Sequence, residues 1–355
     1  MDIPATVERL RALGWLKSGE TPLAGRLTFP LTQETTCLNE HNLEVRDRVI
    51  ADMLSGAARP TPLPRWISEE HDDDLLVAEV DRYGLPLRTV ISRGTGLMRS
   101  DPYYDPEYIE TFYRDHYRDL YRPSWLTIGG FLGDQLKAGE EMWQEVRHAL
   151  PDVPEGPKVL DVGCGMGGVA AAFRLHGCRA WGCDYGREYL NYGRMLNLDL
   201  IEGDGRAAQE HAPFDLIVLS HVVEHQVDPV KFLRELRSLL AENGLLYVRV
   251  PGISTIRHYF QGNLLNYLQN AHVWHFTRST MCALMAKSGF AVTSCTDRVH
   301  CLARRTENPV PVQIGANEGE AVIKELRLLD RFIRLPRAMQ HGVKALRRVQ
   351  KMAFH

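Results

Sequence analysis

At 355 residues, 44% hydrophobic and 25% charged, the chain has globular composition and the length for one large core plus a smaller unit. A net charge of −3 and a pI near 6.5 argue against a polyanion binder. The seven cysteines form no C-x-x-C pair, which argues against a zinc ribbon or a thioredoxin-type centre.

The odd cysteine count, with no long apolar core near the N-terminus, leads us to expect reduced thiols and a cytoplasmic location. The longest apolar stretch, Phe214–Val223, is too short and too polar to span a bilayer.

Residues 1–105 carry the weakest pattern. Val7–Leu13 reads as a short helix, and Leu43–Leu54 as another, with Val45, Val49, Ile50 and Met53 apolar among charges. Ala58–Pro64 holds three prolines and reads as a linker or extended segment. The acidic run Glu69–Asp74 suits a solvated turn better than a metal site. Val90–Leu97 reads as a strand and tight turn. Residues 103–126 are dense in aromatics, from Tyr103 to Trp125. Tyr108, Phe112 and either Tyr113 or Tyr117 fall at helical spacing, as a packed helix face requires. A helix through Trp143, Val146 and Leu150 leads onward.

Residues 157–305 alternate strand and helix, which implies a parallel, doubly wound sheet. Candidate strands are Lys158–Val162, Cys178–Asp184, Leu198–Gly203, Phe214–Ser220 and Gly244–Val250. Asp228 caps a helix that Pro229 begins, with Val230, Leu233, Leu236 and Leu240 on one face. Phe290–Thr296 and Val299–Arg304 form a closing hairpin. The stretch that organises the rest is Val159–Gly168, a buried strand, a glycine turn and a helix start. A ligand over this turn is expected to meet backbone N–H groups. Gly163, Gly165 and Gly168 satisfy the dinucleotide spacing G-x-G-x-x-G, so a nicotinamide-dependent oxidoreductase is one reading. Asp161 weighs against it, because an acid at the strand tip would repel a pyrophosphate. It suits a cationic centre and an ammonium.

The run Leu160-Asp161-Val162-Gly163-Cys164-Gly165-Met166-Gly167 resembles motif I of class I S-adenosylmethionine (SAM) methyltransferases. The resemblance spans residues 90–305. It implies an α/β fold, a doubly wound and mostly parallel seven-stranded sheet with an antiparallel last strand. An N-terminal helical or irregular lobe and C-terminal helices flank it. The division expected is an accessory lobe at 1–105, a helical connector over the SAM pocket at 106–156, the SAM-binding domain at 157–305 and a basic tail at 306–355. A related SAM family, common in bacterial polysaccharide and natural-product gene sets, opens with a lobe ending C-x-x-C-G-L. Here Ser92-Arg93-Gly94-Thr95-Gly96-Leu97 keeps that frame without its cysteines, so the lobe has no zinc and must be held by packing.

The resemblance assigns the cofactor SAM to Asp161 near the methionine ammonium and to backbone at Gly163, Cys164 and Gly165. It assigns the ribose hydroxyls to Asp184, the adenine face to Tyr185, and the adenine amino group to Asp204 beside Gly205. Ser220 and His221 end the fourth strand beneath the sulfonium, and Tyr113 and Tyr117 close the pocket. Catalytic candidates are His221, His225 and His275, with His272 the alternative to His275 as a general base facing the acceptor. For His225, His272 and His275 a capping or packing role is equally available. Glu224-His225-Gln226-Val227-Asp228-Pro229 resembles the family's E-H-x-x-D-P segment. No metal is expected, since adjacent residues on a helix point apart.

The activity expected is in-line methyl transfer, O-methylation above all, to a small-molecule or glycan acceptor. A SAM-binding but non-catalytic partner or sensor is the other reading. No nucleic acid is expected as a partner, and the oligomeric state stays open. Nine Lys/Arg from Lys324 onward suit a docked helix pair or peripheral contact with an anionic surface through 324–355.

Overall fold

Short apolar runs punctuated by glycine give this chain its strands, and two sheets result. The structure is a computed structural model that describes residues 3–31, 38–67, 74–121 and 128–333. In chain order its strands are β1 (Pro60–Thr61), β2 (Asp74–Val80), β3 (Pro86–Ser92), β4 (Met98–Ser100), β5 (Tyr103–Tyr104), β6 (Lys158–Val162) and β7 (Arg179–Asp184). There follow β8 (Asp199–Glu202), β9 (Phe214–Ser220), β10 (Leu240–Arg249), β11 (Trp274–His275), β12 (Phe290–Cys295) and β13 (His300–Arg305).

The large sheet has the order β12-β13-β10-β9-β6-β7-β8. Strands β6 to β10 run parallel, and β13 runs antiparallel to both β10 and β12. This is the expected doubly wound, mostly parallel sheet with an antiparallel last strand. From β6 the chain moves outward through β7 and β8, then returns to the other side as β9. The carboxyl ends of β6 and β9 therefore flank a topological switch point, where open α/β sheets bind ligands. Helix Pro229–Arg237 forms with Asp228 accepting from the Lys231 amide and Pro229 at its first position, but it ends before Leu240, which opens β10 opposite Phe214 instead of continuing the helix face. Helix Arg278–Lys287 starts on a capping box between Thr277 and Thr280.

The N-terminal region has helices at Ile3–Ala12 and Glu40–Ser55. It also contains an antiparallel sheet of order β11-β4-β3-β2, of which the sequence pattern revealed only the strand near Val90. Its fourth strand comes from far along the chain, with Trp274 opposite Arg99 and His275 opposite Met98. Asp74, read as part of a solvated turn, instead opens β2. Its side chain is 13% exposed and accepts from Arg65 at 3.0 Å and from Arg99. Two guanidiniums converge on it, which compensates its burial. The rest of that acidic run lies outside the described residues. Where the related lobe has cysteines, hydroxyls hold the turn: the Thr95 amide donates to Ser92 Oγ at 3.2 Å.

The aromatic segment is helix Pro106–Thr111, a π-turn at Phe112–His116 and helix Tyr117–Tyr121. Of Tyr113 and Tyr117, expected as alternatives at helical spacing, neither is excluded, because they lie four residues apart. Both reach one face, their ring centroids 5.0 Å apart. Trp125 lies outside the described residues. One continuous core joins Leu10, Trp15 and Val45 of the N-terminal region to Leu160, Leu219 and Leu246 of the large sheet. Helix Glu318–Ile333 docks through its acids, Asp330 to Arg26 at 2.9 Å and Glu325 to Arg257 at 3.0 Å. The basic run from residue 334 lies outside the described residues. Among those described, no helix is long and apolar enough to cross a membrane.

Candidate active site

The glycine turn between β6 and helix Gly168–Leu175 needs its glycines for backbone angle and for space. Gly163, Gly165 and Gly167 have φ of +74°, +55° and +80°. A Cβ on Gly163 would lie 2.6 Å from Val222 Cγ2, and one on Gly165 would lie 2.6 Å from Gln135 Nε2. The turn is thus pressed between the β9 end and helix Ile128–Val146.

The amides expected to face a ligand point elsewhere. Gly163 and Cys164 donate to the Cys183 carbonyl at 2.8 and 3.0 Å. Gly165 donates to Asp184 Oδ2 at 3.0 Å and Met166 to Gln135 Oε1 at 3.2 Å. Gln135 Nε2 also donates to the Cys164 carbonyl at 2.9 Å, so this side chain clamps the turn. A pyrophosphate needs free donors here, and these four are spent. The Cys164 side chain is buried beneath the turn with Leu190 and Leu200, leaving only its backbone near the ligand side.

Asp161 is 2% exposed, and its Oδ2 has no hydrogen-bond partner. Burial, and then the neighbouring Asp184 carboxylate, push its pKa well above the usual carboxylate range. An orphaned buried carboxylate oxygen fits the ammonium of SAM, which would supply both donor and counter-charge. Asp184 ends β7, accepts from the Gly186 amide at 2.6 Å, and has Arg118 Nη2 at 3.5 Å. Arg118 also lies over the Tyr189 ring at 4.6 Å. Tyr185 is 73% exposed, an open aromatic face beside Asp184. Asp204 accepts from the amide and guanidinium of Arg206, at 2.9 and 2.6 Å, and Gly205 behind it is buried.

Beyond β9 the chain turns sharply. Ser220 pairs with Arg249, and His221 follows with φ +57°, a backbone state rare for a non-glycine residue. His221 is 55% exposed at the side chain, with Nδ1 3.3 Å from Glu224 Oε1. Glu224 and His225 sit on a single 3₁₀ turn, Val223–His225. The Val273 amide donates to the Glu224 carbonyl at 2.8 Å, which carries His272 to within 3.9 Å of Glu224 Oε1. His225 Nδ1 lies 2.9 Å from the Ala271 carbonyl and 3.3 Å from the Tyr113 hydroxyl. Tyr113 and Tyr117 pack on His225, with the Tyr117 centroid 6.0 Å from it. Burial lowers the pKa of His225. Burial and the surrounding imidazoles lower that of His272 well below the ordinary value.

His275 takes a different place. It is 1% exposed within β11, packs on Tyr267 at 5.0 Å, and finds no hydrogen-bond partner for either ring nitrogen. Burial pushes its pKa down to about 3, so the ring stays neutral. Gln135 and Arg118 had no expected role, because nothing local marks a residue that acts across 29 or 66 positions.

Residues 135–295 match a family described as a methyltransferase domain. Over 135 residues the chain is 29% identical to a probable (S)-tetrahydroprotoberberine N-methyltransferase 2 of Papaver bracteatum, covering 36% of this chain and 38% of that one. Over 110 residues it is 32% identical to a ubiquinone biosynthesis O-methyltransferase of Xanthomonas campestris pv. campestris, covering 29% of this chain and 44% of that one. The chain thus spans less than half the length of these curated relatives. A solved 1,6-didemethyltoxoflavin-N1-methyltransferase of Burkholderia thailandensis aligns at 17% identity and a TM-score of 0.42, covering 62% of this chain and 96% of that one. The strand order, more than so distant a superposition, fixes the fold. With that order, the matched segment and the acid-flanked glycine turn, residues 135–295 are similar to a methyltransferase domain and lie on the sheet expected of the class I, SAM-dependent fold.

Proposed function

We propose that the chain is an enzyme that moves a methyl group from SAM to a hydroxyl of a small-molecule or glycan acceptor. The observation that carries the cofactor half is Asp161, a buried carboxylate with an unmet oxygen beside a turn whose amides are already spent. That arrangement favours an ammonium and disfavours a pyrophosphate. Asp184, Tyr185 and Asp204 suit the ribose and adenine, as acids and an aromatic face at successive strand ends.

Bound SAM supplies an electrophilic methyl on a sulfonium. The chain has to hold the acceptor oxygen in line with it and take up a proton. His221 is suited to that role. Its exposed ring lies 3.3 Å from Glu224 Oε1 and can turn a nitrogen lone pair to the acceptor hydroxyl. Glu224 is the acid nearest to it. His225, held by Ala271 and Tyr113, belongs to the wall of the acceptor space.

Calorimetry with SAM and NADH side by side tests the cofactor. SAM should bind and NADH should not, and the reverse result overturns the proposal. Asp184→Ala should weaken SAM binding by about 2–4 kcal/mol, since two ribose hydroxyls lose a charged acceptor. With labelled SAM and a panel of hydroxylated acceptors, His221→Ala should lower turnover about 10²–10⁴-fold at nearly unchanged SAM affinity. Transfer to no acceptor by a SAM-binding wild type would favour the sensor reading.

A further inference from the structure

Glu224, His225 and His272 bring one carboxylate and two imidazoles together, with ligand atoms within 4.8 Å of one another. The sequence argument against a metal, that neighbours on a helix point apart, does not govern this backbone. Glu224 and His225 occupy one isolated 3₁₀ turn, and the third group arrives from the segment that leads into β11.

Three features give the cluster the chemistry of a cation site. First, the Glu224 side chain is 1% exposed, and neither carboxylate oxygen has a hydrogen-bond donor of good geometry. A buried carboxylate without donors is costly, and a cation among its neighbours removes that cost. Second, the Ala271 carbonyl at His225 Nδ1 places the ring proton there, which leaves Nε2 as a lone-pair donor. A backbone carbonyl behind a ligating histidine is the usual orienting partner. Third, Gln269 Oε1 accepts from Arg82, so its amide N–H groups face His272 Nε2. That nitrogen is therefore also an acceptor, and a bound cation would replace the Gln269 contact.

We propose that Glu224, His225 and His272 form a binding site for one divalent cation of the zinc, cobalt and nickel class. Two imidazoles with one carboxylate favour these ions over magnesium, which prefers all-oxygen shells. Bonds of about 2.0–2.2 Å to nitrogen and oxygen require the three groups to close by roughly 1 Å. His221, 3.3 Å from Glu224 and exposed, stands at the mouth of the cluster and marks where a further ligand enters. If the methyl-transfer reading holds, that ligand is an oxygen of the acceptor. Cation binding itself does not depend on that reading.

The test uses the full chain stripped of metal and titrated with Co²⁺, followed by calorimetry and visible absorption. SAM affinity is measured in parallel. One Co²⁺ per chain, with absorption bands of a nitrogen-and-oxygen shell and displacement by Zn²⁺, is expected. Glu224→Gln and His272→Gln should each weaken binding more than about 10-fold, since even outer-shell partners contribute that much. Zn²⁺ should also raise the melting temperature of the wild type, a readout that needs no variant. No stoichiometric Co²⁺ binding by the wild type, or equal affinity in both variants with SAM binding retained, overturns the proposal. Co²⁺ binding without SAM binding upholds the cation site and removes the methyl-transfer reading.

Discussion

Asp161 shows how a single residue sets function against stability. Its pKa is raised in the fold, so it holds its proton at pH values where the unfolded chain has already lost it. Stability is therefore lost as pH rises from the unfolded carboxylate value, about 3.9, through the raised folded one. Asp161→Asn should remove that cost. The cofactor-free protein should melt a few degrees higher, while SAM affinity falls by more than about 10-fold. A lower melting temperature together with unchanged SAM affinity would contradict the role given to this carboxylate. His275 has the opposite sign. Its folded pKa is depressed to about 3, so its contribution is full above about 6.5 and is lost as pH falls below that towards 3. His275→Phe keeps an apolar ring against Tyr267 and strands no hydrogen bond. Its stability should fall less steeply on acidification, by up to about 1.4 kcal/mol per pH unit, in denaturant melts between pH 6.5 and 4. The same steepness as in the wild type would mean that His275 protonates freely.

At the scale of elements, the glycine turn is a joint between three segments. Gly163→Ala meets both a left-handed backbone angle and the Val222 methyl. It should lower stability by about 1–3 kcal/mol, and Val222→Ala should recover only the steric part. Full recovery in the double variant would show that backbone angle contributes little. The π-turn at Phe112–His116 is the second element with consequences. Tyr113 lies within it and Tyr117 just after it, four residues on, so both share the face that packs against His225.

For the whole molecule, β11 is the seam. Trp274 is 1% exposed, donates from Nε1 to the Gln226 carbonyl at 2.7 Å, and meets Trp66 edge-on at 5.6 Å. It links the small sheet to the turn that carries Glu224 and His225. Trp274→Ala should destabilise by about 3–5 kcal/mol and disturb both sheets together. Calorimetry should show one transition for the wild type. Two separate transitions, only one of them moved by the variant, would show that the N-terminal region folds by itself.

The strands of the large sheet, the glycine turn and the acids at its strand ends were legible along the chain. Each is a local pattern: an apolar run, a glycine forced by backbone angle, a carboxylate at a strand end. The helix cap at Asp228 was legible for the same reason. Tertiary structure alone decided that the turn's amides are spent inside the chain, that Gln135 clamps it, and that Trp274–His275 completes a sheet begun before residue 100. It alone gathered Glu224, His225 and His272, because the partners of a buried charge are set by distance in space, and sequence separation carries no record of it.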